Sequence, residues 1–305
     1  SRRHVSTRGG AGLMTKLSPL ASVSETRAVL EAHGLSTKYS LGQNFLINGA
    51  IPAKIADAAG IGPETGVIEI GPGFGTLTWE LCRRARKVAA VELDGRLPAV
   101  LRETLRDYDN WTVTEADALE IDMHALIARE FGGGDVALCA NLPYYITTPL
   151  LLRLLECGAP IRSMTVMIQK EVAARLCAAP GTPEYGAVTL AAQYYAKTER
   201  RFDVAPGSFL PAPKVTSTVL TLTPWAEPPV HPADMRLFFG LIRAAFNQRR
   251  KTLYNALHNH YGGQFDRDCL RNAVASCGFP DTVRGEALSI ADFARLSDAL
   301  SNAQK

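Results

Sequence analysis

Several features are missing from this 305-residue chain, and each absence removes a class of function. Its six cysteines (Cys82, Cys139, Cys157, Cys177, Cys269 and Cys277) form no C-x-x-C pair, and no His/Cys cluster has zinc spacing. Neither a disulfide scaffold nor a metal site is expected. Buried reduced thiols are, as in a cytosolic protein. No apolar run reaches the ~18 residues that span a bilayer. The opening SRRHVSTRGGAGL is basic and glycine-rich but has no apolar h-region, so it does not read as a secretory signal. Met14 reads as the natural start, and residues 1–13 are left outside the fold. There is no large excess of one charge: the net value is +3. The basic residues do cluster, as RRARK at 83–87, KTERR at 197–201 and RRK at 249–251. Such patches suit a polyanionic partner without requiring one. The chain shows no internal repeat. A cytoplasmic monomer with no membrane contact is expected.

What is present is a large apolar fraction, 47%, enough for a sizeable core. Residues 18–34 read as a helix, with Ser24 as N-cap and Gly34 as stop. A loop follows at 38–48, then a helix at 49–60. From there strand and helix signals alternate: GVIEIG, TLTWELCRRA, KVAAVEL, RLPAVLRETL, WTVTEAD, DMHALIAREF, DVALCAN, TPLLLRLLEC, SMTVMIQ and KEVAARLCA. Two more strands are read at 189–204 and in KVTSTVLTL, with no clear helix between them, so an antiparallel edge is expected. Near-continuous apolar strands alternating with helices predict an α/β fold with a doubly wound, mostly parallel sheet. PWAEPPVHPAD at 224–234 carries four prolines and marks a boundary. Residues 234–305 show only helical pattern, broken by Gly262, Gly263, Gly278 and Gly285. The organisation read is an N-terminal extension at 1–37, partly disordered, a main domain at 38–224 and a small all-helical domain at 225–305.

In open α/β sheets a ligand sits beyond the carboxyl ends of the strands, at the switch point. The first strand ends Glu69-Ile70-Gly71-Pro72-Gly73-Phe74-Gly75. Its glycines let backbone approach a ligand, and a helix N-terminus follows. The spacing is G-x-G-x-G, not the dinucleotide G-x-G-x-x-G, and no P-loop lysine follows. It resembles motif I of class I S-adenosylmethionine-dependent methyltransferases. The second strand ends at Glu92, roughly 20 residues on, where a carboxylate can accept ribose hydroxyls. The third ends at Asp117, which that resemblance places on the adenine amino group of the cofactor. Each acid alone could be a solvated strand end; three consecutive strand ends bearing glycines, Glu and Asp in order argue for a pocket.

The fourth strand ends Asn141-Leu142-Pro143-Tyr144, which resembles motif IV of methyltransferases acting on adenine N6. An exocyclic adenine amine is a poor nucleophile, because its lone pair is delocalised into the ring. Two acceptors aimed at its hydrogens, the Asn141 side-chain oxygen and the Leu142 carbonyl, can hold it. Pro143 fixes the turn without a competing N–H, and Tyr144 offers a face for a flipped base, worth ~1–3 kcal/mol.

The wider sequence resembles the ribosomal RNA adenine N6,N6-dimethyltransferases of the KsgA type. SLGQNFL, EIGPGFGTLT, AVELD, EADAL, NLPYYITTPLL, MIQKEVAARL, YGAVTLAAQYY, SFLPAPKVTSTVL and AAFNQRRKTLYNAL follow in that family's order, covering about residues 38–300. Tyr145 departs from it, where many relatives carry Asn. The resemblance implies that S-adenosylmethionine is the cofactor, with Asn44 and Leu46 at its methionine end and Gly71, Gly73, Glu92, Asp117 and Asn141 around it. It implies that Phe209 is a second aromatic plate against the target base. It also implies phosphate contacts by Arg249, Arg250 and Lys251, three cations interrupting a helix face marked by apolar residues at 242, 245, 246, 253 and 257. The implied substrate is a pair of adjacent adenines in the 3′-terminal hairpin of small-subunit rRNA, on an immature 30S subunit. Two alternatives stay open: a large-subunit rRNA adenine methyltransferase of the antibiotic-resistance type, and a non-catalytic assembly factor. A nicotinamide dehydrogenase is weaker, for its glycine spacing.

Overall fold

The structure, a computed structural model, describes residues 17–35 and 44–303. Residues 1–13, and positions 38–43 of the first cofactor loop, lie outside the described residues. The chain runs α1 (Val23–Ala32), β1 (Phe45–Leu46), α2 (Ala50–Ala58), β2 (Gly66–Ile70), α3 (Thr76–Arg84), β3 (Lys87–Glu92), α4 (Leu97–Thr104), β4 (Trp111–Glu115), α5 (Met123–Phe131), β5 (Val136–Asn141), α6 (Thr147–Glu156), β6 (Ser163–Gln169) and α7 (Lys170–Leu176). It continues with α8 (Ala187–Tyr195), β7 (Ala196–Val204), β8 (Phe209–Leu210) and β9 (Ser217–Pro224), then α9 (Met235–Asn247), α10 (Leu253–Tyr261), α11 (Arg267–Ser276) and α12 (Ile290–Ala303).

Seven strands form one sheet in the order β4-β3-β2-β5-β6-β9-β7. The first five are parallel; β9 is antiparallel to β6, and β7 to β9. The antiparallel edge is as expected. Strand order reverses between β2 and β5, so their carboxyl ends open the crevice. Because side chains alternate, the two faces of β2 feed two cores. Ile68 and Ile70 pack with Leu126 and Phe131 of α5 and with Leu150 and Leu154 of α6. Val67 packs with Ile51 and Ile55 of α2 and with Leu77 and Leu81 of α3. Burial on both faces explains why these strands lack polar alternation.

A third core joins the C-terminal helices to α8: Tyr185, Leu190 and Tyr194 pack with Leu237, Phe238 and Leu241 of α9 and with Phe293 and Leu296 of α12. Here the sequence reading needs correction, since 189–195 is helix and only Ala196–Val204 is strand. Val188, Leu190, Ala192 and Tyr194 alternate like a strand, but α8 is a helix wedged between two cores. Ala192 faces the sheet-side core, and Leu190 and Tyr194 face the C-terminal one. Two-sided burial mimics a period of two.

Three further corrections concern local structure. The cap of α1 is Ser22, whose hydroxyl accepts the Glu25 N–H at 3.1 Å; Ser24 lies inside the first turn. Residues 242–257 are not one helix. The chain breaks at Gln248, and Thr252 caps α10, so Arg249, Arg250 and Lys251 sit on a turn. All six cysteines are free, but Cys157 is exposed; Cys82, Cys139 and Cys277 are buried.

Candidate functional site

The glycine turn after β2 is built by conformation. Gly71, Gly73 and Gly75 have φ of 67°, 57° and 89°, in the left-handed region that disfavours any side chain. Gly75 also caps α3, and a Cβ there would lie 3.1 Å from Leu101 and 3.2 Å from Leu105. The result is a turn closed by the Gly75 N–H on the Pro72 carbonyl at 2.9 Å, with the N-terminus of α3 behind it.

Around this turn one open cleft collects the ends of β2, β3, β4 and β5. Asn44, Leu46, Gly71, Gly73, Glu92, Asp117, Asn141, Leu142, Pro143 and Tyr144 all line it. The chain thus brings together every residue expected at the cofactor and every residue expected at the acceptor amine.

The carboxylates differ. Glu92 is 4% exposed; its Oε1 accepts the Asp94 N–H at 2.9 Å, while Oε2 is buried with no partner. Burial pushes its carboxyl upward. Asp117 is half-buried and turns the chain by accepting the Leu119 N–H on Oδ1 at 2.8 Å. Sequence reasoning gave no role to Glu69, although it ends the same strand as the glycines. It lines the cleft, is 1% exposed, has an unpartnered Oε2, and burial raises its carboxyl to about 8. Phe45 and Phe74, also in the lining, stack at 4.0 Å with planes 7° apart. A lone aromatic beside a glycine or asparagine carries no sequence signal of such a pair.

The acceptor turn is fixed on each side. The Asn141 Nδ2 donates to the Asn44 carbonyl at 3.3 Å, which ties β5 to the N-terminal loop and leaves Oδ1 to accept from a ligand. Leu142, 1% exposed, donates its N–H to the Met167 carbonyl at 3.1 Å. The Pro143 carbonyl accepts the Thr147 hydroxyl at 3.1 Å. The Tyr144 hydroxyl meets Ser217 Oγ at 2.9 Å, so the ring is held at both ends. Tyr145 stands at the rim, 57% exposed.

Phe209 is placed otherwise than expected. It is 3% exposed, pairs with Leu46 across β1 and β8, and fills the core beside α2 and α3; it does not line the cleft. An apolar ring next to a two-residue ladder is more favourably buried than held in water. Arg249, Arg250 and Lys251 lie apart from the cleft on the α9–α10 turn. Arg249 is ion-paired to Glu286 at 2.9 Å, while Arg250 and Lys251 are exposed without a side-chain partner among the described residues. Also among the described residues, no group of acidic, His or Cys side chains could hold a metal, and no helix is long and apolar enough to cross a membrane.

Residues 34–300 match the ribosomal RNA adenine dimethylase family. This chain belongs to that family. The ribosomal RNA small subunit methyltransferase A of Geobacillus kaustophilus is 48% identical over 284 residues, covering 92% of this chain and 97% of that protein. The protein of the same name from Shouchella clausii is 46% identical, covering 92% and 95%. Among solved structures, a dimethyladenosine transferase from Plasmodium falciparum aligns with a TM-score of 0.69 at 27% identity, covering 83% of this chain and 95% of that one. The 23S rRNA methyltransferase ErmE aligns at 0.64 and 28%, covering 85% and 100%. This family member is therefore a methyltransferase with the class I fold that its sheet order displays.

Proposed function

We propose that this rRNA adenine dimethylase uses S-adenosylmethionine to dimethylate N6 of two adjacent adenines in the 3′-terminal hairpin of small-subunit rRNA, on immature 30S subunits in the cytoplasm. The observation that carries this reading is the single cleft holding both Glu92, with its orphaned buried oxygen, and Asn141, with its amide oriented by Asn44. The curated relatives named for the small subunit, aligned over nearly their whole length, support the choice of substrate. We further propose that residues 38–224 form the methyltransferase domain and 225–305 the rRNA-facing helical domain.

The residues fit the cofactor. A buried acceptor without a donor costs about 1–3 kcal/mol unless a ligand supplies one, and Glu92 Oε2 is such an acceptor for a ribose hydroxyl. Gly71 and Gly73 would let the backbone approach, and Asp117 would take the adenine amino group. Asn44, which accepts from Asn141, and Leu46 would border the cofactor's methionine end. Neither Glu69 nor Glu92 is paired with a cation among the described residues. When bound, S-adenosylmethionine supplies an electrophilic methyl group on a sulfonium.

The chain's own work is positioning. Asn141 Oδ1 and the Leu142 carbonyl accept from the target amine and favour a pyramidal nitrogen. Tyr144, pinned by Ser217, offers its ring to the base. Preorganised dipoles of this kind need no reorganisation during transfer. Water suffices to take the proton from the alkylated amine.

The test is transfer of labelled methyl groups to unmethylated small and large subunits, followed by nucleoside analysis. Dimethyladenosine in the small subunit alone is expected. Label confined to the large subunit would favour a 23S rRNA methyltransferase, as ErmE is. Cofactor binding without transfer to either would favour an assembly factor.

A further inference from the structure

The three cations of the α9–α10 turn do not share one environment. Arg249 Nε donates to Glu286 Oε2 at 2.9 Å, and its Nη2 donates to the Thr182 carbonyl at 3.3 Å. One guanidinium thus spans two segments: the loop joining α7 to α8, and the short turn at 285–287 that precedes α12. Those segments are also joined to each other, since the Gly181 N–H donates to the Glu286 carbonyl at 2.7 Å. The 285–287 turn is pressed on α9, where a Cβ on Gly285 would come within 2.7 Å of Ala245 Cβ. The basic turn is also held by the Lys251 N–H on the Gln248 carbonyl and the Leu253 N–H on the Val283 carbonyl, at 2.8 and 2.7 Å, and by Asn259 Nδ2 donating to Gln248 Oε1 at 2.6 Å. Arg250 and Lys251 are exposed, and neither side chain has a hydrogen bond or ion pair among the described residues.

We infer that Arg249 is a positioning residue: it locks the basic turn to the α7–α8 loop through Glu286 and Thr182, so that Arg250 and Lys251 are presented outward to phosphates. The division rests on the rRNA reading given above; the lock itself does not. Arginine is required because its planar fork reaches two acceptors at once, which a lysine ammonium on a flexible stem does not match. The pair is partly exposed, 41% for Arg249 and 33% for Glu286, so its worth lies in orientation more than in stability. A guanidinium already serving two protein acceptors also has less to offer a phosphate.

Two measurements on the full chain separate the lock from the alternative, in which Arg249 is simply a third phosphate contact. The first is amide hydrogen exchange on the free protein. Arg249→Ala and Glu286→Ala should each speed exchange at Gly181 and Lys251 roughly 3- to 10-fold, the loss of about one hydrogen bond. Arg249→Lys should behave like Arg249→Ala, and Arg250→Ala like wild type. Unchanged exchange in Arg249→Ala would overturn the lock whatever RNA does. The second is the salt dependence of binding to unmethylated small subunits. Arg250→Ala and Lys251→Ala should each flatten the log–log slope by about 0.7–0.9, one phosphate contact. Arg249→Ala should weaken binding without flattening the slope, and Arg249→Lys should not restore it. A slope loss in Arg249→Ala equal to that in Arg250→Ala, with rescue by lysine, would make Arg249 a phosphate contact and overturn the inference. If no variant changes the slope while exchange responds as stated, the lock stands and it is the RNA-facing role of the turn that fails.

Discussion

At the scale of single residues, the cleft holds Glu69, an acid that a solvent-exposed surface would ionise. Burial raises Glu69 from its ordinary 4.5 to about 8, so the folded chain keeps a proton that the unfolded chain releases. The stability linked to this group is whole below about 4.5 and is lost as pH climbs toward about 8, at up to about 1.4 kcal/mol per pH unit. Glu69→Gln escapes that loss. Its stability relative to wild type should rise steadily between about pH 5 and pH 8, as read by urea unfolding at each pH; a constant difference would mean Glu69 is ionised in the fold. Asn141 makes a second residue-scale case. Its amide is oriented by the Asn44 carbonyl, and in the proposed mechanism its oxygen accepts from the target amine. Asn141→Ala should slow transfer on the order of 10²-fold, the usual cost of losing one preorganised hydrogen bond at a reacting centre. If the Asn141 oxygen holds the hydrogen that is replaced, the first transfer should suffer more than the second, because the monomethylated amine has one N–H left and can satisfy only one of the two acceptors. Single-turnover assays resolving mono- from dimethyl product check this; equal losses would contradict it.

At the scale of elements, legibility in the sequence followed the number of faces an element buries. Strands β2, β3 and β5, buried on both faces, were readable as apolar runs, and the residue at each strand end named the cleft. Helix α8 was not readable, because it too is buried on two sides and its Val188–Tyr194 alternation copies a strand. The turn at 248–252 was hidden because the apolar residues of α9 and α10 happen to stay in helical phase across it. Phe209 was placed by resemblance and is instead core, since residue type alone does not separate a stacking plate from a packed ring. Glu69 carries no signal in the sequence, because its unusual environment arises from tertiary burial. The glycine turn gives the element-scale prediction. Gly75→Ala forces a side chain into φ of 89° and against Leu101 and Leu105. It should cost about 2 kcal/mol, combining backbone strain with overpacking, measurable as a lower urea midpoint. A midpoint within error of wild type would show that α4 gives way freely.

At the scale of the whole molecule, α8 is a shared wall: one side completes the core under the sheet and the other that of the C-terminal helices. The buried Tyr185 hydroxyl, donating to the Leu288 carbonyl at 2.7 Å, ties the same region to the segment before α12. The two proposed domains should therefore unfold together, as one calorimetric transition whose van't Hoff and calorimetric enthalpies agree; two separated transitions would mean the interface is weaker than its apolar content suggests. The most direct test of the account is a crystal structure of the protein with S-adenosylhomocysteine. The account predicts a ribose hydroxyl about 3 Å from Glu92 Oε2, with the sulfur facing the Asn141 amide across the cleft. A cofactor ribose bound away from Glu92, or an Asn141 amide turned from the sulfur into the protein interior, would contradict it.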